Sequence, residues 1–149
     1  MTNHRRRSEE MEKEKIAELI GKAPLFSRVS KKGLASIANK AISKEFPAGT
    51  KIVSAGATGT GFYLILSGSA EVVRNGEVVA KLSAGDFFGE MALLDGAPRS
   101  ADVVATEDTV CLVISLWALK GIIAVTPDVA VHILEELVHR LRKTEQALS

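Results

Sequence analysis

The chain has one cysteine, Cys111, so no disulfide can form within it. Cys111 sits in the apolar run "TVCLVISLWAL" and reads as a small buried hydrophobe, which points to a reducing, cytoplasmic setting. There are three histidines, His4, His132 and His139, and none lies in the middle of the chain. His132 and His139 are seven residues apart, not the three or four that would let one helix face hold a metal. A metal-dependent enzyme on a small barrel is thereby disfavoured, and no catalytic group, cofactor or metal site is expected. Net charge is +1, so no global field recruits nucleic acid. The local clusters "HRRR" and "HRLRK" read as solvated ends. No apolar run reaches the roughly eighteen residues of a membrane span, and the first fifteen residues, all polar but for Met1 and Met11, hold no signal-peptide core.

With 149 residues the chain is sized for one compact domain. Residues 1–8 are expected to be a disordered leader and residues 9–149 a single domain. Within it, helices lead in over 9–41, a β-region follows over 42–116, and helices close over 117–149. Ser8 is a candidate cap for a first helix with Met11, Ile16, Leu19 and Ile20 on one side, stopped by Gly21 and Pro24. Ser30 can cap a second, in which Leu34, Ile37 and Ala38 recur at helical spacing up to Ala41.

The period then falls to two. About seven or eight short strands follow with turn signals every 8 to 12 residues or so, the pattern of an antiparallel roll or barrel. Asn75-Gly76 between apolar runs marks a hairpin, because a type I′ turn needs positive φ at both positions. Gly61, Gly68, Gly76, Gly85 and Gly89 fall where such a roll turns its corners. "LWALKGIIAVTP" reads as a short helical or irregular piece. The last helix starts from Thr126 and Pro127 with Asp128 in its first turn. Ala130, Leu134, Leu137, Leu141, Thr144 and Leu148 then form a heptad seam, which either pairs with a second copy or packs back onto the roll.

Chemistry concentrates in "GDFFGEMALLDGAPRSADVVA", residues 85–105. Gly89 removes a side chain at a strand end, and the helix formers after it suggest a short turn whose first amides attract an anion. Arg99 brings a rigid fork suited to phosphate oxygens, and Ser100 a hydroxyl beside it. Glu90 would repel a phosphate, so its role is to accept from hydroxyl groups. The competing reading is a Glu90–Arg99 ion pair that ties the loop. Such a pair adds little net stability over apolar replacement, so the pair alone gives a weak reason for both charges.

Gly89-Glu90-Met91-Ala92-Leu93-Leu94 after Phe88, followed by Pro98-Arg99-Ser100-Ala101, closely resembles the phosphate-binding cassette of cyclic nucleotide-binding domains. Those domains occur in the catabolite activator protein, in regulatory subunits of cAMP-dependent kinase and in cyclic nucleotide-gated channels. "APLFSRVSKKGLASIA" is similar to the family's helical lead-in, "GFYLILSGSAEV" to strands of its roll and the last helix to its hinge helix; the resemblance covers about residues 22–145.

The resemblance implies a mainly β fold, an antiparallel β-roll of double-stranded β-helix type with flanking helices. It implies a binding module for cAMP, with cGMP as the alternative, that signals by repositioning its C-terminal helix without catalysis. Cyclic phosphate contacts would come from Gly89, Met91, Ala92, Arg99 and Ser100, and the ribose contact from Glu90. Val72 and Leu82 match positions near the base. Serine rather than threonine at position 100 favours cAMP. A cap over the base is expected from Arg142, His139 or Thr144, or from a second subunit. The expected partners are the nucleotide and a second copy paired through the C-terminal helix, with no direct nucleic-acid or membrane binding. Two other readings are kept: an interaction module with an unoccupied pocket, and the sensor half of a catabolite activator-like regulator. The latter would need on the order of 60 further residues for its helix-turn-helix.

Overall fold

A computed structural model describes residues 2–57, 61–89 and 101–148. The chain forms two compact units, a β-unit of Ala41–Leu116 and a helical unit of Met1–Lys40 with Trp117–Ser149.

The β-unit holds eight strands: β1 (Ile42–Phe46), β2 (Lys51–Val53), β3 (Gly61–Ser67), β4 (Ser69–Arg74), β5 (Glu77–Ser83), β6 (Phe87–Phe88), β7 (Asp102–Ala105) and β8 (Thr109–Ser115). They form two four-stranded sheets, ordered β1-β8-β3-β6 and β2-β7-β4-β5, with antiparallel pairing throughout. This is the expected antiparallel roll. Its core is a cluster of Ile52, Ile65, Ala70, Val103, Ala105 and Cys111, drawn from both sheets, with Phe46, Val53, Tyr63, Val72, Leu82 and Phe88 packed on it. Cys111 is fully buried, and burial pushes its thiol up to about 11. It therefore behaves as a small apolar side chain.

Local chemistry sets the turns. Asn75 at φ 54° and Gly76 at φ 79° close the β4–β5 hairpin, with Arg74 paired to Glu77, as the dipeptide predicts. The Asp86 carboxylate accepts from the Ser83 amide at 2.8 Å, and Ser83 O accepts from the Asp86 amide at 2.9 Å. That closure lays β6 beside β3. Gly61 is no corner: it opens β3 and is absent from the positive-φ residues. Gly68 is a corner in the strict sense, because β3 lies in one sheet and β4 in the other. At φ 95°, a Cβ on Gly68 would stand 2.4 Å from Thr109 Oγ1 and 2.6 Å from Asp108 O.

In the helical unit, α1 (Thr2–Gly21) is followed by a 3₁₀ segment (Pro24–Phe26) and α2 (Lys31–Lys40), then α3 (Leu116–Val125) and α4 (Asp128–Leu148). The cap on α2 is as expected: the Gly33 amide donates to Ser30 Oγ at 3.1 Å and the Leu34 amide to Ser30 O at 2.8 Å. Residues 2–8, expected as a disordered leader, are helical as the start of α1. Arg, Glu and Lys, frequent in this stretch, are good helix formers. Ile20, Leu25, Phe26, Ile37, Leu119, Val129 and Ile133 are buried.

The heptad seam on α4 is shifted from its expected register. Val129, Ile133 and Glu136 form the buried stripe, and Leu137 is half-buried. The exposed apolar line is Val131, Leu134, Val138 and Leu141, at 50%, 59%, 49% and 60% exposure. Ala130 and Leu137 therefore turn inward, and Val131 and Val138 take their places on the outer face.

Gly68→Ala should lower unfolding free energy by about 3 kcal/mol, combining strain at positive φ with overpacking against backbone. Gly76→Ala, with nothing within 4 Å of its Cβ, should cost only about 1–2 kcal/mol. Denaturant unfolding of the two variants measures both.

Candidate functional site

The candidate segment leaves one sheet and enters the other. Before it, β6 pairs with β3 through Tyr63–Phe88 and Leu64–Phe87, and the rings stack: Tyr63 on Phe88 at 5.0 Å with planes 1° apart, Phe62 on Phe87 at 6.0 Å. Backbone bonds continue the ladder, the Ile65 amide donating to Asp86 O and the Gly85 amide to Ile65 O, each at 2.8 Å. A two-residue strand would otherwise be marginal; ring stacking and this ladder hold Phe88 and present Gly89 at φ 83°. After the segment, Ala101 is buried and Asp102 begins β7, which is flanked by β2 and β4.

Of the expected site residues, Gly89, Val72, Leu82 and Arg142 fall within the described residues. Glu90, Met91, Ala92, Arg99 and Ser100 lie outside them. Val72 and Leu82 are half-buried and pack from one sheet on the cluster that takes Phe88 and Tyr63 from the other, so two expected base-side positions share a core cluster with the residue before Gly89. Val72 sits at an irregularity in the β4–β5 ladder, between its pairings with Ala80 and Val103. Arg142 belongs to the helical unit, is exposed, and lines a groove there with Arg28, His139 and the outer face of α4.

One residue escaped the motif reading. Asp102, three residues after Arg99, accepts from the Ala55 amide at 2.6 Å and pairs with Lys51 Nζ at 3.3 Å. The Ala55 amide, more than Lys51, holds this carboxyl below the usual aspartate range, against a partial desolvation that raises it. The carboxylate thereby staples the start of β7 to the end of β2. A carboxylate opening a strand right after "PRSA" was the available signal, but its partners are 47 and 51 residues away.

Chemically, the two flanks offer apolar packing, a left-handed backbone corner at Gly89 and a clamped strand start at Asp102. Among the described residues no helix is long and apolar enough to cross a membrane, and no three His, Cys, Asp or Glu side chains converge.

Comparison with known proteins adds three kinds of finding. The family model described as cyclic nucleotide-binding domain matches residues 43–125. A cAMP-dependent protein kinase regulatory subunit of Mycosarcoma maydis is 44% identical over 90 residues, covering 58% of this chain and 17% of that protein. The catabolite activator protein of Thermus thermophilus superposes with a TM-score of 0.67 at 32% identity, over 85% of this chain and 62% of the other. The N-terminal domain of a transcriptional regulator from Streptomyces coelicolor A3(2) superposes with a TM-score of 0.82 over 88% of this chain and 97% of the other; at 24% identity it speaks to the fold alone. The chain thus spans between 17% and 24% of the length of the kinase regulatory subunits it matches.

Asp102 sets a pH dependence. A carboxyl whose folded pKa lies below its usual 3.8 stabilises the fold above that value, and the contribution fades as pH falls through the lower folded value. The unfolding midpoint of the wild type should therefore fall more steeply below about pH 4 than that of Asp102→Asn. Parallel curves in thermal scans from pH 7 to pH 2.5 would leave Asp102 no such role.

Proposed function

The chain belongs to the cyclic nucleotide-binding domain family, and from that premise we propose that it is a cAMP-sensing module, cytoplasmic and without catalysis of its own. The observation that carries this reading is the family match over residues 43–125, which spans both flanks and the whole segment between them. The cyclic phosphate is held by the amides of Gly89, Met91 and Ala92, by the Arg99 guanidinium and by the Ser100 hydroxyl. Glu90 accepts from the ribose hydroxyl. Val72 and Leu82 offer apolar contact toward the base, in keeping with their half-buried place on the Phe88 cluster.

Division of labour follows from charge. A guanidinium and backbone amides stabilise the phosphate, which a carboxylate would repel, so Glu90 serves the sugar instead. A ligand with both a hydroxyl and an anionic phosphate on one ring satisfies the two together. Similarity to kinase regulatory subunits and serine at position 100 both favour cAMP over cGMP.

The response is a population shift. Ligand held by Gly89–Ser100 shifts the population of the terminal helix between two states, with Arg142 the candidate to cover the base. The exposed line Val131, Leu134, Val138 and Leu141 supports pairing of α4 with a second copy. Its spacing alternates three and four, with β-branched valine at one heptad position and leucine at the other, the combination that favours two strands. Output then passes to a partner, as in the sensor portion of a larger regulator.

Calorimetric titration with cAMP, cGMP and AMP tests the reading. The expected order is cAMP, then cGMP, with AMP lacking measurable affinity. Arg99→Ala should weaken cAMP by about 2–5 kcal/mol, the range for removing one partner of a buried charge pair. Equal affinity for AMP and cAMP, or wild-type affinity in Arg99→Ala, would refute it.

A further inference from the structure

We propose that Arg28 couples the pairing of α4 with a second copy of this chain to the docking of α4 on the 3₁₀ segment. The inference rests on the α4 pairing put forward above and adds a residue through which pairing is felt elsewhere in the helical unit.

Two neighbourhoods meet at this guanidinium. On one side Arg28 Nε donates to Glu136 Oε2 at 3.2 Å; the Ser27 hydroxyl, which donates to Pro24 O at 2.9 Å, lies 3.4 Å from the same oxygen. Glu136 stands on the buried stripe of α4 with Val129 and Ile133, and is only 9% exposed. On the other side Arg28, whose side chain is 42% exposed, walls an open groove of about 450 Å³. Val131, Leu134 and Val138 are its apolar lining, and His139 and Arg142 line it with Arg28. Arg28 therefore touches the pairing surface and a carboxylate that the surface does not expose.

The second copy is the occupant that this apolar lining fits. Its residues are those of the heptad line, and a valine–leucine alternation packs against the same alternation in another helix. Glu135, which also lines the groove and lies 3.9 Å from His132 on its own helix, gives each copy a negative group to set against the other's Arg28 and Arg142.

Closing a helix over the groove takes Arg28 out of water. An unpaired guanidinium would make that costly, whereas Arg28 already has the Glu136 carboxylate in hydrogen-bonding range. As water leaves, the effective dielectric falls and the attraction between the two charges rises. Pairing therefore tightens the hold of α4 on Ser27 and Arg28. By linkage, whatever loosens that hold weakens pairing by the same factor. Glu136 acts here as a positioning residue, because it does not line the groove and bears on the second copy through Arg28.

Sedimentation equilibrium of the full chain, combined with amide exchange at Leu25–Val29 across the dimerisation range, tests the proposal. The wild type should dimerise, and exchange at Leu25–Val29 should slow as dimer forms. Glu136→Gln should weaken dimerisation by about tenfold, and adding Arg28→Gln should weaken it little further, since the two act as one pair. Ser27→Ala, a milder change, should weaken it by about twofold and decides the matter if Glu136→Gln does not fold. A dimer as tight in Glu136→Gln, or in Ser27→Ala where that variant decides, as in the wild type overturns the coupling while leaving α4 pairing intact. A wild type that stays monomeric at every concentration overturns both.

Discussion

Two strands change sheets at one corner, and the Thr109 hydroxyl holds it. The chain passes from β3 to β4 at Gly68 and returns from β7 to β8 just before Thr109. Thr109 is 1% exposed; its hydroxyl accepts from the Ser69 amide at 3.2 Å and lies within donating range of the Ser69 and Glu107 carbonyls at 3.0 and 2.8 Å. Ser69 Oγ and Thr106 Oγ1 add a bond at 2.6 Å on the exposed side. A side chain at position 68 would enter this space, so the corner requires glycine on sterics and on φ together. Fixing it fixes which face of β3 and of β8 meets the shared cluster, since a one-residue slip would turn Ile65 and Cys111 outward. The packing of Phe88, Val72 and Leu82 on that cluster follows from the register.

The features legible in the sequence are those whose cause is local. Asn75-Gly76 closes its hairpin and Ser30 caps its helix through groups within three or four residues. Membership of the family was legible for the same reason, because the residues that carry the resemblance lie in one continuous stretch, 88–101. The expected corner at Gly61 was not one, because glycine opens a strand as readily as it turns one. Asp102 with Ala55, and Glu136 with Arg28, join residues 47 and 108 positions apart, and no short-range pattern announces them.

Helix α4 shows why the heptad reading went one step astray. Its apolar residues occupy two faces, one carrying Val129, Ile133 and Leu137 inward and one carrying Val131, Leu134, Val138 and Leu141 outward. A seam drawn through the sequence can borrow from both, as Ala130 and Leu137 did. Only packing tells them apart. Glu136 on the inner stripe breaks the apolar pattern there, and a charge at that place narrows the ways the helix can dock, since a hydrogen-bonded ion pair tolerates less sliding than apolar contact.

Binding divides between a phosphate end and a sugar end of one short segment. The most direct measurement is a crystal structure of the chain with cAMP. The cyclic phosphate is expected against Arg99 and the amides from Gly89 to Ala92, with the ribose hydroxyl on Glu90. A nucleotide lodged elsewhere, or Glu90 paired to Arg99 with no nucleotide bound at saturating concentration, would contradict this division.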